Sequence, residues 1–273
     1  MDSRTRRETT LELLQLKGEL SVAELSKRTG ASPMTIRRDF EALENEGALR
    51  RVHGGAISVA SRGYLPPYSV REKRDTEAKE HIGATAAGLI GERETVILDV
   101  GTTTLEVAKA LRSRHNLTVI TSSLHIANLL SKERGIRLML TGGTLTPGDL
   151  SLTGDLAEEA FARLRFDTLV MGVAGIDAEA GCTEFSTEDA RVKRAALATV
   201  RRCIVVADAT KLGVVTFARI CSLDSVNTVV TDTKANPDQV AALRSSHVEV
   251  VEADDLGTGP DSPPGLGKGN SHA

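Results

Sequence analysis

Three short helices are predicted from the spacing of apolar and polar residues over the first fifty positions. The first helix ends at Gly18, a residue type that is common at helix carboxyl termini. The second helix begins at Ser21, whose hydroxyl can cap the amide of Glu24 while the Glu24 carboxylate reaches back, and it ends at Gly30. The two helices are short and are separated by a brief turn.

A third helix is predicted from Pro33 to about residue 46. Ser32 supplies a hydroxyl cap, and the fixed backbone angle of Pro33 suits the first helical position. At about 100° per residue, Ile36, Phe40 and Leu43 fall on one face, which we expect to be buried. Two short helices joined by about three residues are typical of a helix-turn-helix, whose second helix enters the DNA major groove.

The opposite face of the third helix carries candidate DNA-contacting residues. Its first turns project two adjacent arginines, at the place where this motif contacts base edges. An isolated arginine pair is more often a solvated helix face, so the assignment depends on the segment that follows. Asp39 falls beside the buried stripe, and we expect a structural hydrogen bond or ion pair there rather than a DNA contact. The candidate DNA-contacting residues are Ser32, Met34, Thr35, Arg37 and Arg38.

A β-wing is predicted directly after the third helix. Short strands at 49–52 and 56–57 flank a glycine turn. The basic residues of this wing lie at its tip or base, within reach of the sugar-phosphate backbone or an adjacent groove. They are Arg50, Arg51 and His53. Residues 1–57 are therefore predicted to form a winged helix-turn-helix domain.

Two segments show no sustained period. Residues 58–76 are polar and contain consecutive prolines, so they are predicted to be a linker that Tyr64 and Tyr68 would dock onto either domain. Residues 257–273 are rich in Gly, Pro and Ser and are predicted to be a disordered tail.

The segment from 77 to 256 alternates between helical stretches and short β-rich runs, beginning with a helix that ends at Ile90. This alternation predicts a mostly parallel, Rossmann-like α/β domain with helices on both faces of the sheet. The predicted strands are Thr95–Asp99, Leu117–Thr121, Ile136–Leu140, Asp167–Met171, Cys203–Ala207, Val226–Thr231 and Val248–Val251.

Small polar residues follow the first three of these strands, at the edge where such folds bind ligands. Backbone amides at a helix start, three consecutive threonines and a glycine make a candidate phosphate cradle after the first strand. It matches neither the Walker A nor the G-x-G-x-x-G pattern, which disfavours nucleoside triphosphates and NAD. Each polar segment alone is more often a cap or turn, but three in succession favour a site. The candidate residues are Asp99, Gly101, Thr102, Thr103, Thr104, Thr121, Ser122, Gly142 and Gly143.

Charged candidates lie further along the chain. Lys211 follows a strand directly, and a lysine there suits a phosphate or a sugar oxygen. Asp177 is a second candidate. Asp208 has the alternative role of capping the next turn, and Glu188 with Lys193 has the alternative of a solvated helix face.

Composition excludes several classes of protein. The 273 residues are 40% hydrophobic and 26% charged with a net charge of -3, which excludes disorder for most of the chain. No stretch approaches the roughly 18 apolar residues of a membrane span, so we expect a cytoplasmic protein. We also expect its cysteines to be reduced, and we expect no cofactor or metal. The first 60 residues carry ten Lys or Arg against nine Asp or Glu, so net charge alone demands no nucleic-acid partner.

Several motifs occur in a fixed order along the chain. They are Arg7-x-x-x-Leu11, Ser32–Phe40, Glu46–Ala56, Asp99-x-Gly101-Thr102-Thr103-Thr104, Gly142-Gly143, Gly175-Ile176-Asp177, Gly181-x-Thr183 and Ala207-Asp208-x-x-Lys211. This order resembles the DeoR-type family of bacterial repressors over residues 4 to 253. The chain departs from the family pattern at Ala48, usually a larger apolar residue, and at Thr121-Ser122-Ser123, usually Thr-Asn-Ser.

The resemblance implies both a partner and an effector. It implies binding to double-stranded operator DNA, with Thr35, Arg37 and Arg38 in the recognition helix. It also implies a sensor domain similar to ribose-phosphate isomerase, glucosamine-phosphate deaminase and coenzyme A transferase folds, with a phosphorylated sugar or sugar derivative as effector.

We therefore predict a regulator of carbohydrate-metabolism genes, expected to be a repressor, that a phosphorylated sugar releases from its operator. One winged helix buries little DNA surface, so a homo-oligomer is expected. The alternative is a sugar-phosphate isomerase or deaminase with an appended DNA-binding domain. Its base would be Asp177, Glu184 or Glu188, acting with Lys193, and no histidine joins this set.

Overall fold

The computed structural model describes residues 2–17, 19–58 and 68–253. Its amino-terminal part packs three helices against a three-stranded antiparallel sheet. The elements are α1 (Ser3–Lys17), β1 (Glu19–Ser21), α2 (Val22–Thr29), α3 (Pro33–Asn45), β2 (Leu49–Val52) and β3 (Gly55–Ser58). The predicted winged helix-turn-helix fold is confirmed. The predicted cap of the first helix, Gly18, lies outside the described residues.

The core of this domain forms where the apolar stripe of α3 meets the other helices. Ile36, Phe40 and Leu43 are at most 2% exposed, as the helical periodicity predicts. They pack in one cluster with Leu14 of α1 and Leu25 of α2. This packing fixes which face of α3 is left to solvent.

Hydroxyl caps start both helices of the helix-turn-helix. Ser21 accepts a hydrogen bond from the amide of Glu24, and Ser32 accepts one from the amide of Thr35. The reciprocal half of the predicted capping box is wrong, because the Glu24 carboxylate pairs with the Lys17 ammonium instead. An ammonium is a stronger partner for a carboxylate than a neutral amide is.

Strand β1 is a feature that the apolar pattern does not predict. It is three residues long and lies between two helices, which is too short to show an alternation. Leu20 pairs opposite Ala56 of β3, and both side chains are buried. The wing is thereby joined to the start of α2.

Helices α4 (Tyr68–Lys73) and α5 (Thr76–Gly88) begin inside the segment predicted as a linker. The linker prediction through residue 76 is therefore wrong for these residues. The Tyr68 ring is buried and stacks on the His125 ring, with centroids 4.1 Å apart and planes 9° from parallel. This stacking docks α4 onto the α/β domain, whereas Tyr64 lies outside the described residues.

The rest of the described chain is an α/β domain. Its helices are α6 (Thr102–Ala110), α7 (Leu124–Leu130), α8 (Asp155–Ala162), α9 (Thr187–Leu197) and α10 (Pro237–Ser245). Its strands are β4 (Thr95–Leu98), β5 (Leu117–Thr121), β6 (Ile136–Leu140), β7 (Thr144–Thr146), β8 (Ser151–Thr153), β9 (Phe166–Gly172), β10 (Gly175–Asp177), β11 (Gly181–Glu184), β12 (Val200–Val206), β13 (Ala218–Cys221), β14 (Thr228–Asp232) and β15 (Glu249–Ala253).

The seven strands predicted from the sequence form one sheet in the order β15-β14-β12-β9-β4-β5-β6, with every neighbouring pair parallel. The predicted parallel α/β fold is confirmed. Two smaller antiparallel sheets, β7-β8 and β10-β11-β13, were not among the predicted elements. Their strands are only three or four residues long, which hides any period of two.

Apolar cores lie on both faces of the large sheet. Successive strand residues point to opposite faces, so Ile97 packs in one core while Val96 and Leu98 pack in the other. Neighbouring β4, β9 and β12 lie mid-sheet, so their following loops share one edge. Within the described ranges, no helix is long and apolar enough to span a bilayer.

Candidate functional site

The outer face of α3 carries the predicted DNA-contacting side chains. Met34 is 59% exposed, and Arg37 and Arg38 are also exposed. In the part of the chain that the structure describes, neither arginine forms an ion pair. The Ser32 and Thr35 hydroxyls lie 2.9 Å apart at the start of the helix, where they form the cap. The two guanidinium groups are therefore available to a duplex.

Asp39 joins α1 to α3. Its carboxylate is buried and accepts hydrogen bonds from Arg6 Nε and, at 3.3 Å, from Arg7 Nε. The structural ion pair predicted for this residue is confirmed. It holds α3 against α1, so the outward angle of the recognition helix is fixed from behind.

The wing presents its basic residues at the surface. Arg50, Arg51 and His53 are all exposed. The Glu44 carboxylate of α3 accepts hydrogen bonds from Arg51 Nε at 2.6 Å and from the Arg51 amide at 2.8 Å. This contact couples the base of the wing to the end of the recognition helix.

Replacing Arg51 by alanine is expected to weaken binding to all duplexes and to lower the slope of log K against log salt by about one. The reason is that a wing cation facing phosphates contributes charge but no base reading. Anisotropy titrations at several KCl concentrations, with specific and random duplexes, measure both quantities. Glu44→Gln is the matched control, because it frees Arg51 and should not weaken binding. A loss confined to the specific duplex would contradict the assignment.

The predicted cradle lies where β4 ends. Gly101 caps the start of α6, so the first amides of this helix have no partner within it. Gly101 has φ 139°, a conformation that other residues rarely adopt. A Cβ placed there would lie 3.5 Å from Thr104 Oγ1 and, outside its chain neighbours, within 4 Å of no other described atom. The cradle is thus open to an anion.

Thr104 adds an unused hydroxyl to the cradle. Its side chain is fully buried, and its Oγ1 has no hydrogen-bond partner among the described residues. A buried hydroxyl without a partner costs about 1–3 kcal/mol. A ligand oxygen at the Gly101 turn would supply the missing partner.

A buried charge cluster supports the cradle from α9. The Lys193 ammonium pairs with Asp99, lies 3.3 Å from the Glu184 carboxylate and donates to the Gly172 carbonyl at 2.8 Å. Burial opposes the charge on Lys193, but Asp99 and Glu184 outweigh it and raise its pKa. Burial raises the pKa values of Asp99 and Asp189. The cluster ties the turns after β4 and β9 to α9.

A cavity at the carboxyl ends of β4, β9 and β12 brings part of the predicted site together. The predicted residues that line it are Gly101, Thr102, Thr103, Thr104 and Lys211. Burial lowers the pKa of Lys211, and nearby Asp208 acts in the opposite direction. An anion bound beside this lysine would favour its protonated form.

The cavity also contains residues that sequence reasoning does not assign to it. They are Tyr68, Val70, Arg71, Arg74, Lys79, Gly172, Val173, Ala174 and Asp189. The charged candidates Lys193, Glu184 and Asp208 line it as well, and Lys193 is buried rather than on a solvated helix face. The sequence signal for this part of the lining is a pair of arginines, Arg71 and Arg74, three positions apart and just before the helical stretch of α5.

The polar segments after β5 and β6 do not line this cavity. The Thr121 hydroxyl accepts the Ser123 amide at 3.0 Å, and the Ser122 carbonyl accepts the Leu152 amide at 2.8 Å. Both predicted residues are buried, and the Leu152 contact joins Ser122 to strand β8 of a hairpin that the sequence does not predict. The structure does not bring these two residues to the cavity.

Gly142 and Gly143 lead into the same hairpin. A Cβ on Gly143 would lie 2.5 Å from the Thr153 carbonyl oxygen, so the glycine permits a close backbone approach. Asp177 is likewise used locally, since it accepts the amides of Glu179 and Ala180 at 2.9 Å in a turn. The structure does not bring these three predicted residues to the cavity.

The structure brings only one pair of the catalytic alternative together, Glu184 with Lys193. Glu188 is exposed and accepts the Ser186 and Thr187 hydroxyls at the start of α9. Glu184 is paired with Lys193, and Asp177 lies in its turn. Among the three candidate bases, Glu184 alone lies beside Lys193 in the described structure, where the two form an ion pair.

Comparison with known proteins gives the family. The chain matches the DeoR-like helix-turn-helix domain over residues 6–62 and the DeoR C terminal sensor domain over residues 74–233. The chain belongs to the DeoR family of transcriptional repressors. The family resemblance seen in the sequence is confirmed, and this DeoR-family protein is a DNA-binding regulator.

Relatives of this DeoR-family chain match it along most of their length. It is 32% identical over 240 residues to the glycerol-3-phosphate regulon repressor of Escherichia coli strain K12, covering 88% of this chain and 95% of that protein. It is 37% identical over 224 residues to transcriptional repressor AccR of Agrobacterium fabrum, covering 81% and 86%. The full-length sorbitol operon regulator SorC from Klebsiella pneumoniae superposes with a TM-score of 0.39 at 11% identity, covering 89% and 99%.

Proposed function

We propose that this DeoR-family repressor controls carbohydrate-metabolism genes and is released from its operator by a phosphorylated sugar or sugar derivative. The observation that carries the proposal is one cavity lined by the start of α6, by Lys211 and by Thr104, whose hydroxyl has no partner among the described residues. The similarity to the glycerol-3-phosphate regulon repressor of Escherichia coli agrees with a phosphorylated polyol as effector.

The chemistry of the cavity suits both parts of such a molecule. Amides at a helix start and a lysine favour a phosphate, because the helix dipole and the ammonium act on the same anion. Asp189, Asp208 and Glu184 lie on the same lining. Carboxylates accept hydrogen bonds from sugar hydroxyls. A sugar phosphate is a small molecule that carries both a phosphate and several hydroxyls.

Release from DNA requires that the effector prefer one arrangement of the protein. A coupling of about 1–3 kcal/mol between the two sites changes operator affinity by about 5- to 150-fold. A homo-oligomer, dimer or larger, reading repeated half-sites would increase this response, because one wing and one helix cover only a short stretch of duplex.

The test measures operator binding and sugar-phosphate binding on the same protein preparation. The duplex is selected by the protein from a random-sequence pool, and the sugar panel contains glycerol 3-phosphate, ribose 5-phosphate, fructose 6-phosphate and glucosamine 6-phosphate. At least one panel member should raise the melting temperature and weaken operator binding, whereas the unphosphorylated sugars should do neither. Binding without any change in operator affinity would contradict the proposal.

Replacing Lys211 by methionine is expected to leave operator affinity unchanged and to weaken sugar-phosphate binding by about 10- to 150-fold. A hydrogen bond to a charged group contributes about 1.5–3 kcal/mol, which gives this range. Calorimetry measures the sugar-phosphate affinity, and anisotropy measures operator release. Lys132→Met, at an exposed lysine beyond α7, is the control. Thr103→Val should weaken release in the same direction, and normal release in both variants would show that the cradle is misplaced.

A further inference from the structure

The first helix after the DNA-binding domain forms part of the wall of the effector cavity. Tyr68, Val70 and Arg71 of α4, with Arg74 directly after it, line the cavity. Gly47, two residues past the end of the recognition helix, borders the same space. Only nine residues separate the last wing strand from α4. Helix α4 therefore forms part of the cavity wall and is also the first helix that follows the DNA-binding domain along the chain.

Several side-chain contacts hold α4 in place. The Tyr68 ring stacks on His125, and Arg71 pairs with Asp149 of the β7-β8 loop at 2.6 Å. The Lys79 ammonium of α5 donates to the carbonyls of Arg71 and Arg74 at the end of α4. A cation at a helix carboxyl terminus stabilises both its free carbonyls and its dipole. The position of α4 thus depends on groups that a ligand in the cavity would touch.

One polar atom of α4 is buried and unused. The Tyr68 side chain is 6% exposed, and its hydroxyl has no hydrogen-bond partner among the described residues. Burial raises the pKa of this phenol to about 12, so it remains a donor at neutral pH. A buried hydroxyl on a cavity wall is satisfied when a ligand oxygen reaches it.

Arg71 offers a second, exchangeable contact. Its guanidinium lies 5.5 Å from the Tyr68 ring centre and is paired with Asp149, a residue that is itself partly exposed. A phosphate or carboxylate oxygen of a ligand competes for the same planar donor group, because arginine binds such oxygens bidentately. Moving this guanidinium from Asp149 to a ligand changes what holds α4.

We propose that α4 is both an effector-binding element and the element that couples the cavity to the DNA-binding domain. In this scheme, Tyr68 and Arg71 bind oxygens of the sugar phosphate, and the exchange of the Arg71 contact shifts α4 and the chain attached to it. The inference rests on the proposed function and adds to it the residues that transmit release.

A coupling residue differs measurably from one that only binds. A residue that only binds the effector changes the concentration needed for release, but saturating effector still gives the full change in operator affinity. A residue that couples also changes the size of that response at saturation. The ratio of operator Kd with and without saturating effector is therefore the decisive quantity.

The test uses Tyr68→Phe and Arg71→Gln in the full-length protein, with the panel sugar phosphate to which the wild type responds. Tyr68→Phe keeps the ring and its stacking, so its fold is retained even if Arg71→Gln loses stability. Arg201→Gln, with a side chain 86% exposed on β12, is the control. The operator Kd is measured without effector and at effector concentrations that saturate each variant by calorimetry.

At saturating effector, both α4 variants should show less than half of the wild-type change in operator Kd. The control should show the full change. A full change in both α4 variants overturns this inference alone. A wild type that binds none of the panel, or binds without release, overturns the proposed function and this inference with it.

Discussion

At neutral pH, replacement of Lys193 by methionine is expected to lower the free energy of unfolding of the α/β domain by about 3–5 kcal/mol. The lysine side chain is 2% exposed, and its ammonium forms ion pairs with both Asp99 and Glu184. Methionine keeps an unbranched chain of similar length, so the loss arises from unpaired carboxylates rather than from a void. Urea unfolding followed by circular dichroism measures this change.

The deficit of this variant is expected to shrink as the pH falls from about 7.5 to about 5.5. Burial raises the pKa of Asp99, and Lys193 opposes that effect. Without the lysine, the folded variant binds a proton at a higher pH than the unfolded chain does, so lowering the pH restores stability. Lys132→Met serves as the exposed control and should show no deficit. Equal deficits at both pH values would indicate a packing defect instead.

Replacing Arg37 and Arg38 together by alanine is expected to abolish preference for the operator over random duplexes. Each arginine that reads a base edge contributes about 1–3 kcal/mol of discrimination, so the single variants should each lose about 5- to 150-fold. Both side chains are exposed on the face opposite Ile36, Phe40 and Leu43, so their loss leaves the core unchanged. Competition binding with selected and scrambled duplexes measures the preference.

The control for the recognition helix lies in the same domain. Arg4 on α1 is 90% exposed and pairs with Glu8, so Arg4→Ala removes the same charge away from α3. It should leave the preference unchanged. If Arg37→Ala weakens selected and scrambled duplexes equally, its guanidinium contacts phosphates and the base-reading assignment is wrong.

The parts of the fold that local sequence determines could be predicted. The stripe of Ile36, Phe40 and Leu43 and the serine cap Ser32 depend only on neighbours within a turn or two, and the structure confirms them. The seven-stranded sheet was predictable because strands buried on both faces are continuously apolar. The three-residue strand β1 was not, because its pairing with β3 is decided by residues more than thirty positions away.

In the candidate site, too, the features set by neighbouring residues could be predicted, and those set by distant residues could not. The cradle at Gly101 follows from a strand, a glycine and threonines in one short stretch, and the structure gives these residues one cavity. The pairing of Lys193 with Asp99 joins residues 94 positions apart, and the docking of Arg71 on Asp149 joins residues 78 apart. The contact of Ser122 with Leu152 of the β7-β8 hairpin also joins residues that are distant in sequence, so strand-end position alone could not show it.

The backbone at Gly101 constrains how proteins of this kind can diverge. Since φ 139° is closed to almost any other residue, the turn that would grip the phosphate tolerates little mutation. If the proposed function holds, substitutions that change effector preference are expected around this turn, on α4 and in the loop after β12, rather than at Gly101 itself.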